Sequence, residues 1–145
     1  MRVLFVCLGN ICRSPSAHAV LSAKTCDMGW TVDSAGTSGW HVGDPPDPRV
    51  VAEAEARGYP ISDLRARQFV GADFDRYDLI LAMDQSNLRD INALRPAGGS
   101  AMVALFLEYA LGTTQDAPDP YYTGRFAKVF GMIEAGAKAL VRRDA

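Results

Sequence analysis

Arg2-Val3-Leu4-Phe5-Val6 is a short, nearly continuous apolar run that breaks at Gly9-Asn10, and Ser14-Pro15 follows almost at once. A run of this kind suits a central strand buried on both faces. Ser14 can cap a helix, and Pro15 fits its first turn, where a missing N–H costs nothing. Ala17, Val20 and Leu21 then mark the buried stripe of that helix. The chain must therefore pass from strand to helix through a very short loop, and that junction constrains everything after it.

The pattern continues in kind. A second strand fits Trp30 to Ser34, followed by a Gly/Ser loop from Gly36 to Gly39. The Pro/Asp-rich stretch from Gly43 ends in a helix start, with Asp47 as N-cap, Pro48 as first helical residue and Gly58 past the last turn. Tyr77 to Met83 reads as a third strand, with Asp84 capping a helix that runs through Leu94. Pro96 to Ser100 is a turn, Ala101 to Phe106 a fourth strand, and Gly112 to Pro120 a polar loop. Phe126, Val129, Phe130, Ile133, Ala137, Leu140 and Val141 follow helical spacing to the end. Strands alternating with helices imply parallel pairing, right-handed crossovers and helices on both faces. In such folds ligands sit beyond the carboxyl ends of the strands. Cys7 and Asp84, which follow the first and third strands, share that rim.

Composition narrows the function. At 145 residues the chain, 1–145, is expected to form one domain. Its 48% hydrophobic and 22% charged residues are those of an ordinary soluble globular protein. The net charge of −2 and the absence of any basic block argue against nucleic acid or an anionic membrane as partner. No run approaches a membrane span, and the N-terminus does not read as a secretory signal. Three cysteines and two histidines are too few for a disulfide framework and a poor basis for a zinc site. The expected compartment is the reducing cytoplasm, where a thiol stays available.

Any affinity for an anion must then be built locally, and the first loop is the place. Five residues, Leu8-Gly9-Asn10-Ile11-Cys12, separate Cys7 from Arg13. A loop this short can curl its N–H groups inward as an anion nest, to which the helix N-terminus adds partial positive charge. Gly9 and Asn10 tolerate the left-handed backbone that such curling needs. Arg13 can fold its planar fork over two anion oxygens. A thiol at the base of this cradle is expected to move from ~8.5 towards the ~3.5–7.5 range of activated cysteines. Cys12 is open between packing and a protective disulfide with Cys7 under oxidation. Cys26, late in the first helix, is expected to be structural.

The block Val6-Cys7-Leu8-Gly9-Asn10-Ile11-Cys12-Arg13-Ser14-Pro15 resembles the low-molecular-weight protein tyrosine phosphatases. The likeness recurs in family order at Asp33-Ser34-Ala35-Gly36-Thr37, Pro46-Asp47-Pro48-Arg49, Ala66-Arg67-Gln68, Met83-Asp84 with Asn87-Leu88, and Asp119-Pro120-Tyr121-Tyr122. It implies a doubly wound, four-stranded parallel sheet in the order 2-1-3-4, and hydrolysis of phosphotyrosine through a phosphocysteine without cofactor or metal. Cys7 would attack phosphorus, Arg13 and the amides of Leu8 to Ser14 would hold the oxygens, and Asp119 would serve as acid and then base. Asp119 before Pro120 is also an ordinary turn former. Ser14 matches the residue that steadies the thiolate; a simple helix cap is the alternative, and the two are compatible. Asn10 matches the loop-fixing Asn, supported by Ser38. Asp84 matches the acid that orients the loop arginine, or is a plain helix cap. Trp40, Tyr121 and Tyr122, with Leu8 and Ile11, resemble walls around an aromatic ring, deep enough that phosphoserine falls short of the thiolate.

The resemblance further implies a tyrosine-phosphorylated protein as partner, which for many bacterial members is a tyrosine kinase of polysaccharide export. One departure stands out: Leu64 occupies the position where many members carry a supporting His. His18 is expected to be exposed or on the rim, and His41 has no assigned role. Arsenate reduction on the same fold needs resolving cysteines beyond Cys26, and none follows. Arginine phosphatases of similar loop carry Thr where Ile11 stands and lack the paired tyrosines. A non-catalytic phosphotyrosine-binding module has no need of Cys7, Arg13 and Asp119 together.

Overall fold

A computed structural model describes residues 1–144. Strands β1 (Arg2–Cys7), β2 (Thr31–Gly36), β3 (Leu79–Ala82) and β4 (Met102–Leu105) form one parallel sheet in the order β2-β1-β3-β4. The helices are α1 (Arg13–Thr25), α2 (Pro48–Ala56), α3 (Asp73–Arg76), α4 (Gln85–Ala93), α5 (Phe106–Leu111), α6 (Pro120–Thr123) and α7 (Phe126–Asp144). Side chains alternate across β1 and so feed two cores. Val3, Phe5 and Cys7 join Val20, Leu21, Phe106, Ile133 and Leu140 on one face. Leu4 and Val6 join Phe69, Phe74, Ile80 and Ile91 on the other. The unbroken apolar run of β1 exists because both faces are covered, which is the expected doubly wound arrangement.

Helix α7 organises the first face, packing against α1, α2 and α5. Gly136 permits the approach of α5: a Cβ there would sit 2.7 Å from the Phe106 ring. Among the described residues no helix is long and apolar enough to cross a membrane.

Several boundaries differ from expectation. Helix α1 starts at Arg13 with Cys12 in the N-cap place and no side-chain cap, so Ser14 lies inside the first turn. β2 is shifted to end at Gly36, where an isolated bridge to Gln68 extends pairing at the sheet edge. β3 is shorter than Tyr77–Met83 because Tyr77 closes α3. β4 lies within its expected range, and α5 follows it directly, ending at left-handed Gly112. Helices α3, α5 and α6, of four to six residues, are too short to show a period and were not expected. The starts of α2 and α4 match: Asp47 accepts from the Arg49 N–H and Asp84 from the Asn87 N–H.

Candidate active site

β1 delivers Cys7 to the carboxyl rim of the sheet, and the next five residues curl before α1 begins. Asn10, at φ 57°, is the one non-glycine residue in the left-handed region among those described. Its side chain holds that shape from both ends. Nδ2 donates to Ser14 Oγ at 2.8 Å, and Oδ1 accepts from the Arg67 N–H at 3.0 Å. The Asn10 N–H points at Cys7 Sγ, 3.3 Å away, and Ser14 Oγ lies 3.0 Å from the same sulfur. Because Asn10 donates to Ser14, the single hydroxyl hydrogen is free for Sγ or for Ala35 O at 3.3 Å. Of these two acceptors, a sulfur anion would be the stronger. Ser14 thus turns toward Cys7 and does not cap the helix.

The resemblance implies that Ser38 supports Asn10; Ser38 instead donates to Leu8 O at 3.0 Å. Asn10 Oδ1 is already engaged by the main chain of Arg67. The loop also lies hard against β2: a Cβ on Gly36 would sit 2.7 Å from Leu8 O, so only glycine fits beneath it.

Arg13, 2% exposed, is fixed from behind. Nη1 donates to Asp84 Oδ2 at 2.7 Å and to Ala117 O at 3.0 Å, while buried Nε has no partner among the described residues. The Nε and Nη2 edge of the fork is thereby left for two oxygens of an anion. Burial works against the charge, but Cys7, Asp84 and Asp119 outweigh it and raise the guanidinium pKa further. Asp84 divides its oxygens: Oδ2 accepts from Arg13 Nη1, and Oδ1 caps α4 through the Asn87 N–H at 2.8 Å. Asp119 is similarly divided. Oδ1 caps α6 through the Tyr121 N–H at 3.0 Å, and Oδ2 stands 3.6 Å from Arg13 Nη2.

These groups line a cavity of about 210 Å³ with Cys7, Arg13 and Asp119 inside and Leu8 and Ile11 among its walls. Trp40 and Tyr122 are 75% and 76% exposed, which excludes a core role for either and leaves them at the cavity mouth. Tyr121 meets Tyr122 edge-on, with centroids 5.1 Å apart. His41 also lines the cavity, its ring against Gly9 and its Nδ1 3.2 Å from Asp44.

Sequence reasoning missed the support behind Asn10. Arg67 donates to Asp33 through Nε and Nη2 and to Asp73 through Nη1 and Nη2, at 3.1 Å in each ion pair, and Tyr77 also donates to Asp33. Asp73 is fully buried. This network fixes the Arg67 main chain that serves Asn10. Leu64, at the departure from the family pattern, packs against the apolar core. His18 is half-buried and not on the rim; its ring meets Ser34 Oγ at 3.0 Å, and burial pushes its pKa down. Cys12 is buried, and burial with the negative charge of Asp47, Cys7 and Asp119 drives its thiol pKa strongly upward. Cys26 is exposed at the C-cap of α1, so it is no core residue.

A cysteine and an arginine facing across a curled strand-to-helix loop make a phosphate-handling site of the cysteine-dependent type. The family model described as "Low molecular weight phosphotyrosine protein phosphatase" matches residues 2–144. A protein of that description from Schizosaccharomyces pombe is 48% identical over 130 residues, covering 86% of this chain and 83% of the relative. The crystal structure of YfkJ from Bacillus subtilis superposes with a TM-score of 0.91 at 36% identity, covering 99% of this chain and 93% of that one. Vibrio vulnificus Wzb in complex with benzylphosphonate gives a TM-score of 0.87 at 28% identity, covering 98% and 97%. The chain belongs to the low molecular weight phosphotyrosine protein phosphatase family, and as an enzyme it is a protein-tyrosine-phosphatase.

Proposed function

We propose that the chain hydrolyses phosphotyrosine in proteins through a phosphocysteine on Cys7. In the first step Cys7 Sγ attacks phosphorus, an S–P bond forms and the P–O bond to the tyrosine breaks. Asp119 gives its proton to the departing phenolic oxygen. Water then attacks phosphorus, Asp119 takes back a proton, and the S–P bond breaks to release inorganic phosphate and the thiolate. Through both steps the Nε/Nη2 edge of Arg13 and the loop amides bear the charge of the equatorial oxygens.

The observation that carries this reading is the sulfur of Cys7, within 3.3 Å of two hydrogen-bonding groups, on the floor of a cavity that Arg13 and Asp119 also line. Asp119 keeps one oxygen free of the cap it makes, which suits a proton carrier. Leu8, Ile11, Trp40, Tyr121 and Tyr122 supply apolar area for an aromatic ring above the anion. A benzylphosphonate bound to Wzb has the same two parts, an aryl group and a phosphorus anion. The partner belonging to this reading is a tyrosine-phosphorylated protein, with a bacterial tyrosine kinase as the class the resemblance implies.

The test is an assay in chelator with phosphotyrosine, phosphoserine and phosphoarginine peptides side by side. The phosphotyrosine peptide is expected to be turned over at an undiminished rate, and the other two at least ~10²-fold more slowly in kcat/KM, since a misplacement of about 1 Å already costs that much. Loss of activity in chelator, restored by a divalent cation, would refute the mechanism. Equal turnover of phosphoserine would refute the role of the walls.

A further inference from the structure

Asp119 sits at the head of a segment with little regular structure of its own. The four-residue α6 follows it and stops at left-handed Gly124, and α7 begins at Phe126. This turn rests against Arg49, a residue that the reaction as described does not use. The guanidinium carbon of Arg49 lies 5.5 Å from the centroid of Tyr121 and 4.5 Å from that of Phe126, so it touches both ends of the turn.

Arg49 is itself held in place. Nε donates to Asp47 Oδ1 at 3.0 Å and Nη2 to Asp47 Oδ2 at 2.9 Å. Asp47 is buried, and its N–H donates to Ile11 O of the anion loop at 2.9 Å. Contacts therefore run unbroken from Ile11 through Asp47 and Arg49 to Tyr121, whose N–H binds Asp119 Oδ1. A half-exposed ion pair by itself adds little to stability. A planar cation held at two of its three nitrogens and set over two rings is a stiff spacer.

We propose that Arg49 is a positioning residue for Asp119: it braces the turn that carries the carboxyl group against the anion loop, and so sets where the proton meets the leaving oxygen. The inference rests on the reading of Asp119 as proton donor. Arg49 touches neither the phosphorus nor the thiolate in this scheme, so its removal should act only where a proton is needed.

The experiment measures kcat/KM for a series of aryl phosphates from p-nitrophenyl to phenyl, using the native enzyme, Arg49→Met, Asp119→Ala and the double variant. This parameter reports the step in which the phenol leaves. A good leaving group departs without help, whereas phenol needs the acid. Arg49→Met is expected to lose about 10–100-fold on phenyl phosphate, within the range open to a misplaced acid. On p-nitrophenyl phosphate it is expected to lose no more than about 3-fold. Added to Asp119→Ala, it should cause no further leaving-group dependence. An equal loss across the series, or none, overturns the brace while a steep Asp119→Ala series leaves the acid in place. A flat Asp119→Ala series overturns the acid assignment itself, and the brace with it.

Discussion

Cys7→Ser is expected to lose measurable hydrolysis of any aryl phosphate, a fall of at least ~10⁴-fold in kcat, with the fold unchanged. The replacement removes little volume from a site already 98% buried, where the cysteine is 2% exposed. A serine oxygen there can still meet Ser14 Oγ and the Asn10 N–H. What it lacks is the chemistry of sulfur: an alcohol is far less acidic and less nucleophilic than a thiol and stays protonated at neutral pH. The variant should still bind phosphate, because Arg13 and the amides are intact. Calorimetric titration with inorganic phosphate alongside the rate assay separates the two functions. Residual turnover above about 1% of the native rate would mean that another group makes the covalent bond.

Arg13→Lys is expected to cost about 10³-fold or more in kcat, although the charge is kept. Nη1 is committed to Asp84 and Ala117 O, and the opposite edge of the same plane is what remains for substrate. An ammonium cannot serve both sides at once. If it turns to Asp84, two donors to the equatorial oxygens vanish, and removal of a single such donor typically costs ~10²–10³. If it turns to the anion, Asp84 loses its partner and the loop loses its rear support. Steady-state kinetics on p-nitrophenyl phosphate settles the matter, since this substrate makes least demand on Asp119. A loss below about 10-fold would show that simple charge suffices and that the fork is dispensable.

Much of this site was legible in the chain itself. The apolar run into a five-residue loop and then Ser14-Pro15 located the cradle, because strand period, helix-start chemistry and loop length all act locally. Asp47-Pro48 and Asp84 announced their helices for the same reason. The errors fell where a side chain chose among distant partners. Ser38 was expected to support Asn10, yet it bonds Leu8 O, and Asn10 Oδ1 takes the main-chain N–H of Arg67, 57 positions away in sequence. Ser14 had two readings, and of these the helix cap fails, because the helix starts one residue earlier and the hydroxyl lies against the sulfur. His18 looked exposed until β2 brought Ser34 against it. Arg67 and Arg49 belonged to quoted blocks, but nothing in their spacing states that Asp33, Asp73, Tyr121 and Phe126 would converge on them. Leu64, at the departure from the family pattern, simply packs as an apolar residue against the core.

Trp40 and Tyr122 face solvent, at 75% and 76% exposure. Their hydration shells must be stripped when a ring enters between them, and that has a calorimetric signature. Association of an aryl phosphonate should carry a negative heat-capacity change. A bare phosphate ion reaches only the floor and should show almost none, so the temperature dependence of the two enthalpies reports separately on the lip and the base of one cleft.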